Sequence, residues 1–476
     1  MTDRQLTELQ MYIDGQWRRG TETRRIVDPY RGEVVATMPL STRQDLDDAL
    51  DAAVKAKSAV AAMPAYERAR ILRRAGELIA ERADVIACAM SREIGKAYKD
   101  ALAEIVRSQD TLNLSAEEAV RIEGEQVPLD SSPMGAGKIA FMLRFPVGVI
   151  AAITPFNAPF NLACHKIAPA FAAGNCTVLK APPQAPYTVH LLTQIFADAG
   201  MPAGALAVLY GDSVGPLLVS DPRVDFVTFT GSSKVGELIK QTSGLRRVAL
   251  ELGGTGATIV CADGDVEQAA AQCSRNSMRI GGQSCISVQN VFVHSSRYEE
   301  MVARLVEEVG KLRLGDPLDP DTDLGTLVDE AAAIRVESWI REAVSGGAQV
   351  LTGGTREGAQ VAPTVLTDVT PDMKVVCDEV FGPVVSVLPF DEVDTVFEML
   401  NNSRFGLQCG IFTRSLPVAM QAVKRIRTGG VIVNGTSTWR TDQLAYGGVK
   451  DSGIGREGPR YAIRDMTEER LVVFNF

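Results

Sequence analysis

Apolar positions recur at helical spacing through the first quarter of the chain, then give way to short, nearly unbroken apolar runs separated by helical stretches. The spacing predicts helices over 45–61, 66–91 and 96–121, with Ser41 as the N-cap of the first. Ahead of them, Met11-Tyr12-Ile13-Asp14-Gly15-Gln16-Trp17 reads as strand, Asp-Gly turn and strand, and 32–37 as a further β segment. Strands are expected over 138–145 and 147–153 on either side of Pro146; the second is apolar throughout, as a strand buried on both faces is. Beyond it, helices over 162–173, 187–199, 216–220 and from Lys234 alternate with strands over 176–180, 206–210, 226–230 and 247–250. A second alternating unit follows. Its strands are expected over 257–261, 288–293, at Gln349, at Val384, and over 410–413 and 431–434. Its helices are expected over 266–278, 298–309, 330–345, 395–401 and 417–426.

Strands alternating with helices specify an α/β protein with two doubly wound, Rossmann-like parallel sheets, which bind ligands at the carboxyl ends of their strands. A chain of 476 residues exceeds one ordinary core, so two or three domains are expected. The apolar tail 470–476 is a β segment whose edge must be covered, by its own subunit or by another.

Composition narrows the partners. The net charge is −10 and there is no basic tract, which argues against nucleic acid. The longest apolar stretch, near 147–154, is too short to span a bilayer, and Met1 to Gln5 does not open like a secretory signal. Eight cysteines without a CxxC spacing and only three histidines leave neither structural zinc nor a disulfide framework expected, and fit a reducing cytoplasm.

Candidate chemistry centres on Gly281-Gly282-Gln283-Ser284-Cys285-Ile286, where glycines let the backbone approach a ligand and a tight turn exposes a thiol. Upstream, Glu251 is a lone carboxylate in the apolar, Gly-rich Leu250-Glu251-Leu252-Gly253-Gly254, suited to act as a base on water. Asn157 is held between Pro155 and Pro159, where a rigid amide can donate to an oxyanion. Phe229-Thr230-Gly231-Ser232-Ser233-Lys234-Val235-Gly236 runs strand, glycine turn and helix, so its helix N-terminus suits phosphate, and Lys180 ends a strand at the ligand edge.

In order and spacing these segments resemble the aldehyde dehydrogenase superfamily nearly end to end. The resemblance implies that Cys285 attacks an aldehyde to give a thiohemiacetal. Hydride passes to the nicotinamide of NADP or NAD, and Glu251 activates water to release the thioester as acid. Asn157 and the Cys285 N–H form the oxyanion hole. It implies a cofactor site at Thr154, Pro155, Phe156, Lys180, Pro183, Gly211, Gly215, Gly231, Ser232, Gly236, Leu252, Glu379 and Phe381. Pro183 stands where many NAD-preferring members carry a ribose-binding glutamate, so NADP is expected to be tolerated or preferred. The late run Tyr446 to Glu457 matches a family signature, with Glu457 close to the active site. The implied layout is a cofactor-binding domain over 1–124 and 146–250, a catalytic domain over 251–454, and a β arm over 125–145 and 455–476. That arm would serve a homodimer or homotetramer.

Within that family the C-terminal signature and Cys285-Ile286-Ser287 resemble a branch acting on lactaldehyde, glyceraldehyde 3-phosphate and phosphono- or sulfo-aldehydes. Arg107 and Arg440 are the expected anchors of an anionic tail. The rival readings are a semialdehyde dehydrogenase of the succinate-semialdehyde type and a non-catalytic binding or structural use of the same fold.

Overall fold

The computed structural model describes residues 7–476; the opening segment weighed above as a signal lies outside them. Its largest sheet has eight strands in the order Gly453–Ile454, Arg247–Glu251, Phe226–Thr230, Val149–Ile153, Cys176–Lys180, Leu206–Leu209, Met11–Ile13, Gln16–Arg18. The five from Arg247–Glu251 to Leu206–Leu209 are parallel. From Val149–Ile153 the chain winds first to one side and then to the other, so the switch point lies between Val149–Ile153 and Phe226–Thr230. Every residue of these two strands is buried, which explains the unbroken apolar sequence of Val149–Ile153; the other also buries Thr228 and Thr230. The hairpin Met11–Arg18 forms as read, with Asp14 and Gly15 both at positive φ as a tight Asp-Gly turn requires.

The second sheet has seven strands, in the order Gln349–Thr352, Thr364–Thr367, Val384–Phe390, Asn290–His294, Ala257–Val260, Gln408–Phe412, Gly430–Val433. Alternate side chains feed two cores: Ile259, Leu366 and Ile411 enter one, and their neighbours Val260, Val365 and Phe412 the other. A third, three-stranded sheet pairs Thr467–Asn475 with Lys138–Pro146 in nine antiparallel pairs, flanked by Glu125–Val127. The apolar tail thus pairs along one edge within its own chain and, as the end strand of this sheet, leaves its other edge unpaired among the described residues. Residues 459–465, expected in the arm, instead form the helix Pro459–Asp465, whose Ile463 joins the core of the first sheet. Gly453–Ile454, expected to end the catalytic domain, pairs antiparallel with Arg247–Glu251 of the first sheet.

Two local readings change. Thr42, not Ser41, caps the helix Arg43–Ala62, in a reciprocal box with Asp45. Ser41 instead accepts from the Tyr210 N–H at 2.9 Å and donates its own N–H to the Tyr210 carbonyl at 3.0 Å. The single helix expected over 66–91 is two, Ala65–Glu81 and Ala83–Ile94, because Arg82 leaves helical dihedrals; the second stops at Gly95, in the left-handed conformation.

The helix Tyr98–Ala119 positions the site. Its buried Glu104 accepts from the N–H groups of Phe160 and Asn161, at 3.0 and 2.9 Å, which open the helix Pro159–Ala172. The other carboxylate oxygen takes the ammonium of buried Lys96, which also donates to the Asn157 carbonyl at 3.2 Å. Removing one partner strands a buried charge. Glu104→Ala is therefore expected to lower unfolding free energy by about 3–5 kcal/mol, read from denaturant midpoints, with Glu104→Gln losing less; a midpoint unchanged by both would contradict this.

Candidate active site

Helix Val266–Met278 ends at Arg279, and Ile280, Gly281 and Gly282 follow with φ of 58°, 62° and 68°. Three consecutive left-handed residues are unusual, and a β-branched Ile among them is strained. Asp100 holds the turn, accepting Arg279 Nε at 2.7 Å and the Ile280 N–H at 3.3 Å. Gly282 is required by contact: a Cβ there would lie 1.9 Å from the Gly382 carbonyl oxygen. The turn delivers Cys285 partly exposed, with its sulfur 3.3 Å from the Tyr446 hydroxyl. Burial pushes the thiol up to about 12; the Tyr446 hydrogen bond opposes this, and the carboxylates Glu379 and Glu251 add to it. Asn157 reaches the same turn, its amide donating to the Gln283 carbonyl at 2.9 Å.

Glu251 is the last residue of its strand and is buried, and one of its oxygens has no hydrogen-bond partner among the described residues. Its pKa is raised, first by burial and then by the charge of Glu457, against the pull of Arg440, Lys166 and Arg456. Burial also acts on Glu457, but His165, Arg440 and Lys166 outweigh it and hold that carboxyl low. Arg440 donates to Glu457 at 2.9 Å and lies 3.8 Å from the centre of the Tyr446 ring, so one cation serves both the carboxylate pair and the thiol's partner. Behind it Asp442 accepts from Arg107 at 2.7 Å and lies 3.3 Å from His165.

The thiol and Glu251 meet at the junction of the two sheets. Glu251 stands at a carboxyl end of the first. Leu407, which packs with Ile286, Tyr446 and Cys285, immediately precedes a strand of the second. Only the first sheet offers its carboxyl edge. Beside the thiol lies a cavity of about 350 Å³, lined by Arg107, Asn157, Arg279, Arg440 and the two residues flanking the thiol, Ser284 and Ile286; neither Cys285 nor Glu251 is among its lining residues.

The sequence pattern of the Aldehyde dehydrogenase family matches residues 17–472. The chain belongs to the aldehyde dehydrogenase family. It is 44% identical over 473 residues to a 3-sulfolactaldehyde dehydrogenase of Priestia megaterium (strain ATCC 12872 / QMB1551), covering 99% of both chains. It is 37% identical over 471 residues to a lactaldehyde dehydrogenase of Methanococcus vannielii, covering 98% of this chain and all of that one. The crystal structure of the NADP-dependent glyceraldehyde-3-phosphate dehydrogenase from Bacillus halodurans, complexed with NADP, superposes with a TM-score of 0.96 at 34% identity, covering 99% of this chain and all of that one. The chain is thus an NAD(P)-dependent aldehyde dehydrogenase.

The residues expected to hold the cofactor lie along the carboxyl edge of the first sheet. Thr154 follows, and Thr230 ends, the two strands that flank the switch point, and each hydroxyl is buried without a partner among the described residues. Pro155 and Phe156 follow Thr154, and the Phe156 ring meets Phe381 edge-on at 5.9 Å. Phe381 is itself held at φ 47°. Ser232 caps the helix Ser233–Thr242 after Gly231, and Gly236 lets Leu252 pack against that helix. Gly211 turns at φ 94°, and a Cβ at Gly215 would meet nothing within 4 Å. Lys180 pairs with Asp212 at 3.1 Å, and the Pro183 carbonyl accepts from Arg24 at 3.0 Å. Glu379 accepts the Gly254 N–H at 3.1 Å, and burial, opposed by that bond, moves its carboxyl up to about 7.

Both expected anchors line the cavity, in different states. The Arg107 side chain is 35% exposed and Arg440 only 7%; the latter is committed to Glu457, with its Nε left free of partners. Four neighbours escaped the sequence reading: Tyr446 as partner of the thiol, Arg279 at the mouth, His165 and Lys166. The last two were detectable, being with Asn161 the polar residues of a buried, mostly apolar helix. Nothing in the sequence around Arg279 separates it from a helix end. A thiol this far raised predicts that cofactor-free enzyme alkylates slowly at Cys285. The iodoacetamide rate, followed on the Cys285 peptide by mass spectrometry, should climb about tenfold per pH unit from pH ~7 to ~9. A plateau below pH ~8 would contradict it.

Proposed function

We propose that this enzyme oxidises a short aldehyde bearing an anionic or hydroxylated tail, with Cys285 as nucleophile, Glu251 as base, and Asn157 with the Cys285 N–H as oxyanion hole. The observation that carries the substrate class is the pair of partly exposed arginines in the cavity, Arg107 and Arg279, whose side chains are 35% and 42% exposed. Each is held by a carboxylate, Asp442 and Asp100, which fixes its direction while leaving donors free for a second anion. Polar side chains in the cavity lining, among them Asn161, Gln272, Asn276 and Thr438, suit a short polar substrate better than a long apolar one. The names of the relatives from Priestia megaterium and Methanococcus vannielii support the same class.

The chemistry follows from the charge states. As the carbon–sulfur bond forms, the Cys285 thiol gives up its proton, and Glu251, made a stronger base than an ordinary carboxylate by its burial, accepts it. The carbonyl oxygen gains charge, which the Asn157 amide can meet with the hydrogen not used on Gln283. A bound nicotinamide would supply the hydride acceptor. Glu251 passes the thiol proton to solvent and is then free to accept one from the water that attacks the thioester; the thiolate expelled as the acid forms takes up that proton, restoring the thiol. Lys166, whose pKa burial lowers, and Glu457 sit behind Glu251 and set its charge.

The enzyme is also read as a cytoplasmic homodimer or homotetramer. Ile139, Leu143 and Phe474 are exposed on one face of the arm sheet and Leu471 and Val473 on the other, with Phe476 beyond its end, apolar surface that a second copy would cover. A monomeric mass by light scattering would reject the oligomer.

The deciding test is an aldehyde panel with propanal, lactaldehyde, succinic semialdehyde and sulfolactaldehyde, followed by reduced-nicotinamide absorbance. Arg107→Gln and Arg279→Gln should each raise KM for the anionic aldehydes about tenfold or more, with propanal little affected. Equal effects on propanal would reject the anion anchor, and preference for succinic semialdehyde would select the semialdehyde reading. Cys285→Ser should abolish turnover; full retention would favour a role for the fold other than this chemistry.

A further inference from the structure

We propose that Arg24, from the strand Thr23–Val27, is a specificity residue that reads the 2′-phosphate of NADP together with Lys180. The inference rests on the cofactor reading and not on the choice of aldehyde. Arg24 lies outside the eight-stranded sheet, on a small sheet where it pairs with Met38. Its guanidinium crosses to the carboxyl edge of the large sheet, donates to the Pro183 carbonyl at 3.0 Å and lies 3.8 Å from one oxygen of Asp212. The other oxygen of Asp212 takes Lys180 Nζ at 3.1 Å. Two cations from different sheets thus flank one carboxylate at the place where the ribose hydroxyls are read.

The crossing is held in place. Leu40 donates its N–H to the Glu22 carbonyl at 2.8 Å. Ser41 exchanges hydrogen bonds with Tyr210, immediately before Gly211 and Asp212. The small sheet is therefore tied to the loop that carries Asp212, and the distance from Arg24 to Lys180 is set by the backbone.

Three features give this cluster a preference. Pro183 offers no N–H and no polar side chain, so its carbonyl is its only group for a ribose hydroxyl, and Arg24 already occupies it. Arg24 and Lys180 present two charges where a doubly charged phosphate would lie. Asp212 bridges those cations as a phosphate would, yet its side chain is 66% exposed and turns to water at little cost. A dianion should displace it; a neutral diol should not.

Binding without turnover tests the idea. Dissociation constants of the full-length enzyme for NADP, NAD, adenosine 2′,5′-bisphosphate and 5′-AMP are measured by calorimetry. Wild type should prefer the 2′-phosphate form of each pair. Arg24→Gln should weaken NADP and the bisphosphate about tenfold or more, shift NAD less than about twofold, and leave the melting temperature unchanged, because the side chain is part exposed. Arg24→Lys should recover part of the loss, and Asp212→Asn should tighten NADP. The proposal is overturned if wild type binds NAD as tightly as NADP, if Arg24→Gln weakens both equally, or if Asp212→Asn weakens NADP.

Discussion

Two carboxylates in one dry pocket, Glu251 and Glu457, cannot both carry charge at low cost. The surroundings decide between them. Arg440 is bonded to Glu457, and His165 and Lys166 bear on the same group, so Glu457 keeps the charge and Glu251 tends to hold a proton. A carboxylate whose pKa is raised by burial binds a proton more tightly than an exposed one, which suits a base. The same Arg440 stacks on Tyr446, whose hydroxyl touches the thiol, so the charge pattern around the base and the environment of the sulfur share a single guanidinium. Its burial is a consequence of that double duty, and it explains why the mouth of the cavity relies on other arginines.

A second constraint is conformational. The turn before Cys285 runs through three left-handed residues, and only two of them are glycines. Asp100 holds Ile280 in place from a neighbouring helix, and the closeness of Gly282 to Gly382 ties the turn to the segment bearing Glu379 and Phe381. The nucleophile is thus located by contacts with both the helical layer and the second sheet, not by its own local preference.

Much of this architecture was legible because both sheets alternate strongly with helices, and buried parallel strands such as Val149–Ile153 and Leu206–Leu209 have no polar face to confuse the pattern. What escaped depends on tertiary contact. The break at Arg82 has neither glycine nor proline to announce it. Ser41 and Thr42 are equally good caps in isolation, and Tyr210, far along the chain, decides which one is free. Cys285, Glu251 and Asn157 stood out by their odd placement among small or apolar residues. Arg279 did not, because an arginine at a helix C-terminus is commonplace.

The short strand Gly453–Ile454 closes the edge of a sheet whose other members were all laid down before residue 252. During synthesis that sheet must wait, its Glu251 edge unpaired, until the second unit has emerged from the ribosome. The two layered halves are therefore not interchangeable cassettes: a cut between them would leave the earlier one with an open flank beside its own carboxylate.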